Sequence, residues 1–280
     1  MRTGSIERKL LGLALAEDAG KGDITTRALR ISKRGQAIVF SKAQGVVSGL
    51  AAFMGVYKAL SPAITFSILK PEGSRVVPGD TIVIVKGRLD LILTGERTAM
   101  NILCHLSGVA TITRKLVDRV SDLPVEILDT RKTLPGLRGL EKRATRAGGA
   151  SNHRMGLHDM YLVKENHIAA AGGLERALQL VASHKKKTRA KVEVEVKDVD
   201  ELRIAMNYRP DYILLDNFSF PGLKKAVRYA RMIDPRVKLE ASGNISYKNV
   251  RRVALSGVDR ISVGMITHSA PALDLSLKVI

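Results

Sequence analysis

The sequence predicts an α/β protein whose C-terminal part is an open or reduced α/β barrel. Two observations carry this reading. From about residue 125, apolar, β-branched runs recur at 125–128, 160–163, 191–196, 212–215, 238–241 and 260–263. Near-continuous apolar strands of this kind belong to parallel sheets covered by helices. Amphipathic segments lie between most of them. "GLERALQLVASHK" sets Leu174, Leu178 and Val181 on one face, and "PGLKKAVRYARMI" does the same with Leu223, Val227, Ala230 and Ile233 behind Pro221 at a helix start. The span 106–267 holds 162 residues, short of the roughly 250 of a complete eight-stranded barrel. A doubly wound sheet is the alternative.

The first hundred residues read differently. "MRTGSIERKLLGLALAEDAG" is an amphipathic helix, since Glu7, Arg8 and Lys9 interrupt its apolar stretch and no small-residue cleavage site comes after it. "LALAEDAGKGDITT" superficially matches the acidic strand end and Gly-Thr loop of the commoner phosphoribosyltransferase fold. That loop needs a β-branched strand before it, and the leucines and alanines here favour helix. "GDITT" therefore reads as a helix exit and turn. "QAIVFSKAQGVVSG" and "ITFSILKPEGSRVVPGDTIVIVKG" are strands broken by Pro-Glu-Gly and Pro-Gly-Asp turns. "DLILTGERTAMNILCHLSGVATITRKLVDRV" then carries Ala99, Ile102, Leu103, Leu106 and Ala110 at helical spacing, with Gly108 expected to kink or break it.

Composition narrows the function. No apolar run approaches the roughly 20 residues of a membrane span, and the lone Cys104 cannot form an intrachain disulfide, which fits a reducing cytoplasm. The net charge of +19, from 46 Lys and Arg against 27 Asp and Glu, calls for an anionic partner. Only "HKKKTRAK" (184–191) is a dense cationic run. There is no Trp and aromatic residues make up only 4%, so base-stacking platforms are scarce. Scattered cations suit small polyanionic substrates better than nucleic acid.

In parallel α/β folds the active site forms at the carboxyl ends of the strands. The first apolar run is followed by Asp129, Thr130, Arg131 and Lys132, the second by Lys164, Glu165, Asn166 and His167. The third, "VEVEV", puts Glu193 and Glu195 on one side by its two-residue period. Asp216 and Asn217, then Ser242, Gly243 and Asn244, and finally Gly264 come after the last three. Arg131, Lys132, Arg154 and Lys164 offer donors for carboxylates or phosphates. Glu195 and Asp216 are hard oxygen ligands suited to Mg²⁺ shared with substrate oxygens. "SGN", ahead of a helix expected from residue 246, and "VGM" offer free N–H groups for a phosphate. The set describes a polyphosphate substrate beside a second anionic one.

Plainer readings stand beside these. Any single cation can be a solvated loop residue, a Glu on an edge strand can be a guard against aggregation, and "GGASNHRMGLHD" can be a flexible loop. His153 and His158 can be hydrogen-bonded structural histidines. No histidine spacing resembles a zinc site, and His105, His184 and His268 read as structural.

"TRKTLPGLRGLEKRATRAGGASNHRMGLHDMYLVKENHI" (130–168) closely resembles the central signature of the quinolinate phosphoribosyltransferases. The likeness extends through "EDAGKGDITT", "GERTAMNILCHLSGVAT", "VEVEV", "LLDNFS", "EASGNIS" and "GVDRISVGMITHSAPALDLSL". It implies an N-terminal α/β sandwich (1–105, with 268–280 packed on it) and an open-barrel catalytic domain (106–267). It further implies a cytoplasmic, Mg²⁺-dependent enzyme of NAD synthesis, acting on quinolinate and 5-phosphoribosyl 1-pyrophosphate. The homodimer would share active sites or build into a higher oligomer. Quinolinate-binding groups fall on Arg97, Arg131, Lys132, His153, Arg154 and Lys164, with Thr130 also among the substrate-binding residues. The metal and ribose carboxylates fall on Glu195 and Asp216, and the phosphate loops on Ser242, Gly243, Asn244, Val263, Gly264 and Met265. Lys132, Lys164, Glu195 and Asp216 stand at the reacting centre. The related molybdenum-transport-associated group shares "TRKT-PG" but lacks counterparts of Lys164 and Asp216. A paralogue of that group, acting on another aromatic acid, and a basic nucleic-acid-binding protein are the competing readings.

Overall fold

A computed structural model of the protein describes residues 4–185 and 188–280. Part of the dense run 184–191 therefore lies outside the described residues. In chain order the first elements are α1 (Ser5–Ala19), α2 (Ile24–Ala28), β1 (Arg34–Ser41), β2 (Gly45–Val46), α3 (Leu50–Leu60) and β3 (Thr65–Ile68). β4 (Arg75–Val76), β5 (Thr81–Arg88) and the long α4 (Leu89–Arg119) come next, then β6 (Glu126–Leu128), α5 (Arg138–Ala147) and β7 (Met160–Val163). After these lie α6 (Glu165–Ala171), α7 (Leu174–Lys185), β8 (Lys191–Val196), α8 (Val199–Asn207), β9 (Tyr212–Asp216) and α9 (Phe220–Ile233). The chain closes with β10 (Lys238–Ser242), α10 (Val250–Ala254), β11 (Arg260–Ser262), α11 (Met265–His268) and β12 (Leu275–Val279). Among the described residues no helix is long and apolar enough to cross a membrane.

The chain packs as two compact units that are not contiguous in sequence. The first runs to Arg114 and takes in Thr133–Gly149 and Ile266–Ile280; the second is Lys115–Lys132 with Ala150–Met265. The first unit holds an antiparallel sheet in the order β12-β1-β5-β3. Its register sets Val39 opposite both Leu277 and Val83. Two-residue alternation turns Ala37, Val39 and Ser41 of β1 inward. The Pro-Glu-Gly turn also starts a helix: the Glu72 carboxylate accepts the N–H groups of Gly49 (2.7 Å) and Leu50 (3.2 Å) at the head of α3.

Two local expectations fail here for physical reasons. "GDITT" does not end in a turn. Asp23 accepts the backbone N–H groups of Thr25 (2.9 Å) and Thr26 (3.0 Å), and so caps α2. Gly108 does not break α4, which continues without interruption to Arg119. It is instead where the C-terminal segment lies against the helix. A Cβ there would collide with the carbonyl of Pro271, and Leu273 donates its N–H to the Cys104 carbonyl at 2.9 Å.

The second unit is the six-stranded parallel sheet expected from the six apolar runs. Its order is β6-β11-β10-β9-β8-β7, and every ladder within it is parallel. The two edge strands, β6 and β7, are not paired with each other, as an open barrel requires. Ile213, Leu215, Leu239 and Ile261 are fully buried. The sheet is therefore packed on both faces, with Glu193 and Glu240 as buried charged positions within its strands.

Gly108→Ala is expected to lower stability by roughly 1–3 kcal/mol, because a backbone carbonyl cannot move aside as cheaply as a side chain. Urea unfolding of the variant against the parent protein measures this. An unchanged midpoint would show that the C-terminal segment does not depend on this contact.

Candidate active site

The carboxyl ends of the parallel strands bring together a cluster of charged residues of the second unit. After β6 the chain turns at Asp129, a fully buried carboxylate. Its oxygens accept the His153 backbone N–H at 2.8 Å and the Asn152 side-chain amide at 2.6 Å. A parallel bridge between Leu128 and Ser151 ties the same two segments together. The Thr130 hydroxyl then accepts the Lys132 N–H at 3.0 Å. This turn holds Arg131 half-buried and Lys132 exposed.

His153 and Arg154 are both buried, at 8% exposure. The Arg154 guanidinium donates to the Met160 carbonyl at 3.1 Å. Burial first, and then the charge of Arg131, push its pKa below the usual arginine range. Two guanidinium groups thus stand close enough to repel, which is the arrangement a dianion stabilises. The His153 Nδ1 accepts the Arg154 backbone N–H at 2.7 Å, while Nε2 lies 3.0 Å from Glu193 and 3.4 Å from Glu240. Burial opposes protonation of the ring, but the two carboxylates outweigh it and raise its pKa to about 9. Nδ1 is already filled as an acceptor, however, so the backbone contact favours a ring carrying its proton on Nε2 alone.

At the end of β7, Lys164 reaches Glu195 of β8 at 2.6 Å. Asp216, ending β9, has its pKa raised by burial and then by the charge of Glu195; Asn217, Lys164 and Lys132 offset this in part. Glu195, Asp216, Lys164 and Lys132 therefore share one electrostatic neighbourhood. Two neighbouring carboxylates, both half-buried, are a donor set that a hard divalent cation fits. Octahedral coordination would have to be completed by ligands from elsewhere.

The third part of the site is the loop after β10. Asn217 (φ 54°), Gly243 (φ 95°) and Asn244 (φ 52°) all take left-handed backbone conformations. Asn217 donates its N–H to the Ser242 carbonyl at 2.9 Å, and the Asn244 amide reaches the Asn217 side-chain oxygen at 3.2 Å. At 243 a Cβ would overlap the Asn217 side chain, so only glycine fits. A cavity of about 470 Å³ opens here, lined in part by Ser242, Gly243, Asn244, Ser219 and Arg252. Helix α10 begins at Val250 rather than at 246 and α11 has four residues. An anion at this loop would meet turn N–H groups and side chains, with the N-terminus of α9, capped by Ser219, lining the same cavity. Val263 is buried beside β6, donating its N–H to Leu128 at 2.9 Å, and Gly264 and Met265 are half-buried. Arg97 lies in the first unit, exposed on α4.

Glu193 and Glu195 share one side of β8, yet their surroundings separate them. Glu193 is fully buried with His153, while Glu195 is half-buried with Lys164. Sequence reasoning missed Glu240 and Arg260. Each sits inside or at the start of an apolar run, and the only available signal was a charge where the pattern calls for an apolar residue.

With this geometry in view, comparison with known proteins decides the family. The C-terminal domain model of quinolinate phosphoribosyl transferase matches residues 109–278, and the N-terminal domain model matches 23–107. The chain belongs to the quinolinate phosphoribosyl transferase family. It is 41% identical over 266 residues to a probable nicotinate-nucleotide pyrophosphorylase (carboxylating) of Synechocystis, covering 95% of this chain and 90% of that one. A Bacillus subtilis protein of the same name is 35% identical over 275 residues, covering 97% and 93%. The solved nicotinate-nucleotide pyrophosphorylase of Francisella tularensis superposes with a TM-score of 0.93 at 38% identity, over 100% of this chain and 98% of that one.

Asp129 tests how the family's strand-end turn is held. Asp129→Ala leaves the buried His153 N–H without its acceptor, and an unsatisfied buried donor is worth roughly 1–3 kcal/mol. Unfolding in urea should show a loss of that size. A loss below about 0.5 kcal/mol would mean that the segments either side of Asp129 are fixed by other contacts.

Proposed function

We propose that this protein transfers the phosphoribosyl group of 5-phosphoribosyl 1-pyrophosphate to quinolinate, releasing pyrophosphate and CO₂ and leaving nicotinate mononucleotide. The observation that carries the reading is the crowding of Arg131 and Arg154, with Lys132 and Lys164, at the strand ends beside Glu195 and Asp216. A pair of adjacent carboxylates on a planar ring complements such a cluster in charge and in shape. The relatives named for this activity match along almost the whole chain.

In this reading Arg131, Arg154 and Lys164 orient the two carboxylates so that the ring nitrogen faces C1 of the ribose. His153 and Thr130 shape the same wall. The nitrogen lone pair forms the new bond to C1 while the C1–O bond electrons leave with pyrophosphate. The transition state is oxocarbenium-like, and catalysis is mainly positioning and electrostatics. Lys132 and Lys164 face the charge that grows on the departing oxygens. Glu195 and Asp216 would hold Mg²⁺ together with substrate oxygens, and the ion would supply further neutralisation of the pyrophosphate. Ser242 to Asn244 and Val263 to Met265 would take the 5-phosphate. In the second stage the 2-carboxylate leaves as CO₂, its bonding electrons remain on the ring carbon beside the pyridinium nitrogen, and a proton from solvent replaces it. No enzyme nucleophile is needed.

The same reading gives the reaction a place in the NAD pathway and the protein a cytoplasmic location. It also gives the protein a two-fold dimer in which the exposed Arg97 serves the neighbouring subunit's site.

Quinolinate should be consumed with stoichiometric CO₂, while nicotinate, with one carboxylate, engages only part of the cation cluster and should turn over at under about a hundredth of the rate. Comparable turnover of nicotinate would overturn the assignment. Arg97→Ala and Lys132→Ala homodimers should each be nearly inactive. Refolding equal amounts together should restore about a quarter of the sites, because two-fold pairing puts both lesions in one site of each mixed dimer. Mixed dimers without restored activity would show that Arg97 acts within its own subunit.

A further inference from the structure

Beneath the cation cluster lies a second group of charges that the proposed reaction does not touch. Glu193 of β8 and Glu240 of β10 are fully buried, and no oxygen of either makes a well-aligned hydrogen bond. Their polar neighbours are His153, at 3.0 Å from Glu193 and 3.4 Å from Glu240, Arg260 of β11, 3.5 Å from Glu240, and the Ser262 side chain beside Glu240. Arg260 also stacks on the Tyr212 ring at 4.2 Å. Buried carboxylates matched only by loosely placed partners are an expensive way to fill a core, and apolar side chains of the same size often do it better. A core that keeps such a group needs a reason beyond stability.

The connections point upward to the mouth. The His153 ring bridges the group to the site: Nε2 faces the carboxylates and Nδ1 holds the Arg154 N–H. The Asp129 carboxylate accepts the backbone N–H of His153 itself. Arg154, so fixed, carries its guanidinium beside Arg131 against their mutual repulsion.

Resting on the quinolinate reading above, we infer that Glu193 and Glu240 are positioning residues for the dicarboxylate substrate: they lock the His153 ring, and through it set Arg154. They touch neither substrate nor reacting atoms. Their effect therefore falls on capture of the dicarboxylate and not on the phosphoribosyl donor or on the bond-breaking steps. Arg260 balances the charge of Glu240 and lets the pair persist in the core. Among the described residues His153, Glu193 and Glu240 are also the one set whose ligand atoms converge within 4.8 Å. A structural metal ion is accordingly the rival occupant that the experiment must separate.

The test compares Glu193→Met, which removes the nearer acceptor, with Glu193→Gln, which keeps an oxygen facing Nε2. For Glu193→Met the KM for quinolinate should rise at least tenfold, with the KM for 5-phosphoribosyl 1-pyrophosphate and kcat at saturating quinolinate within about twofold of the parent. Glu193→Gln should recover most of the loss. If Glu193→Met fails to fold, the double variant Glu240→Met/Arg260→Met removes an ion pair whole, and the same split is expected there. A folded variant with unchanged quinolinate KM, a Gln variant no better than Met, or a uniform fall in all three constants overturns the inference. So does a stoichiometric transition metal in the purified parent protein. Failure of the parent protein itself to release CO₂ from quinolinate overturns the underlying reading instead, so the two failures are distinguishable.

Discussion

Like charges brought together and held in place organise the second unit. Like charges near a protein surface repel one another. Arg131 and Arg154 accept a penalty of this kind because the backbone around them is fixed. Asp129 clamps the turn and the 150s loop to one another, Met160 takes a guanidinium N–H, and the His153 ring pins the backbone between them. A parallel sheet is the architecture that permits this. All six strands discharge their loops at one end, so residues far apart in sequence converge without any loop having to be long.

That convergence sorts into three zones with different electrostatics. The guanidinium pair concentrates positive charge, and the Glu195–Asp216 pair concentrates negative charge that Lys164 and Lys132 offset in part. The turn at Gly243 carries no net charge but exposes strained, left-handed backbone stabilised by Asn217 and Asn244. In the proposed reading, an aromatic dicarboxylate, a divalent cation with pyrophosphate, and a phosphate ester would occupy these three in turn. Strain and desolvation concentrate where the ligands are to bind, as expected of a site set up in advance of its substrates.

Much of this was legible in the residues. The six apolar runs correspond to six parallel strands because a sheet covered on both faces tolerates few polar interruptions, and the parallel order brings the polar residues that follow the runs to one end of the sheet. The failures are equally physical. Gly108 looked like a helix breaker because sequence carries no trace of the Pro271 carbonyl lying against it. "GDITT" looked like a turn because an aspartate before two threonines serves turns and helix caps alike. Helix α10 starts later than expected because Ser246 to Asn249 form turns whose residue types do not differ from those of a first helical turn. Period-two patterning put Glu193 and Glu195 on one side and could not rank them. Depth along the strand does that, and depth is set by neighbouring strands that the sequence of β8 does not mention. Glu240 was hidden for the same reason inside "KLEAS".

Recognition of two adjacent carboxylates by the strand-end cations precedes any chemistry, and the proposed reaction depends on it. Calorimetric titration of the protein at moderate ionic strength with quinolinate, with nicotinate and with phthalate, which keeps both carboxylates but has no ring nitrogen, addresses it directly. Quinolinate and phthalate should bind with similar affinity, each at least tenfold tighter than nicotinate. Nicotinate binding as tightly as quinolinate, or phthalate failing to bind, would contradict it.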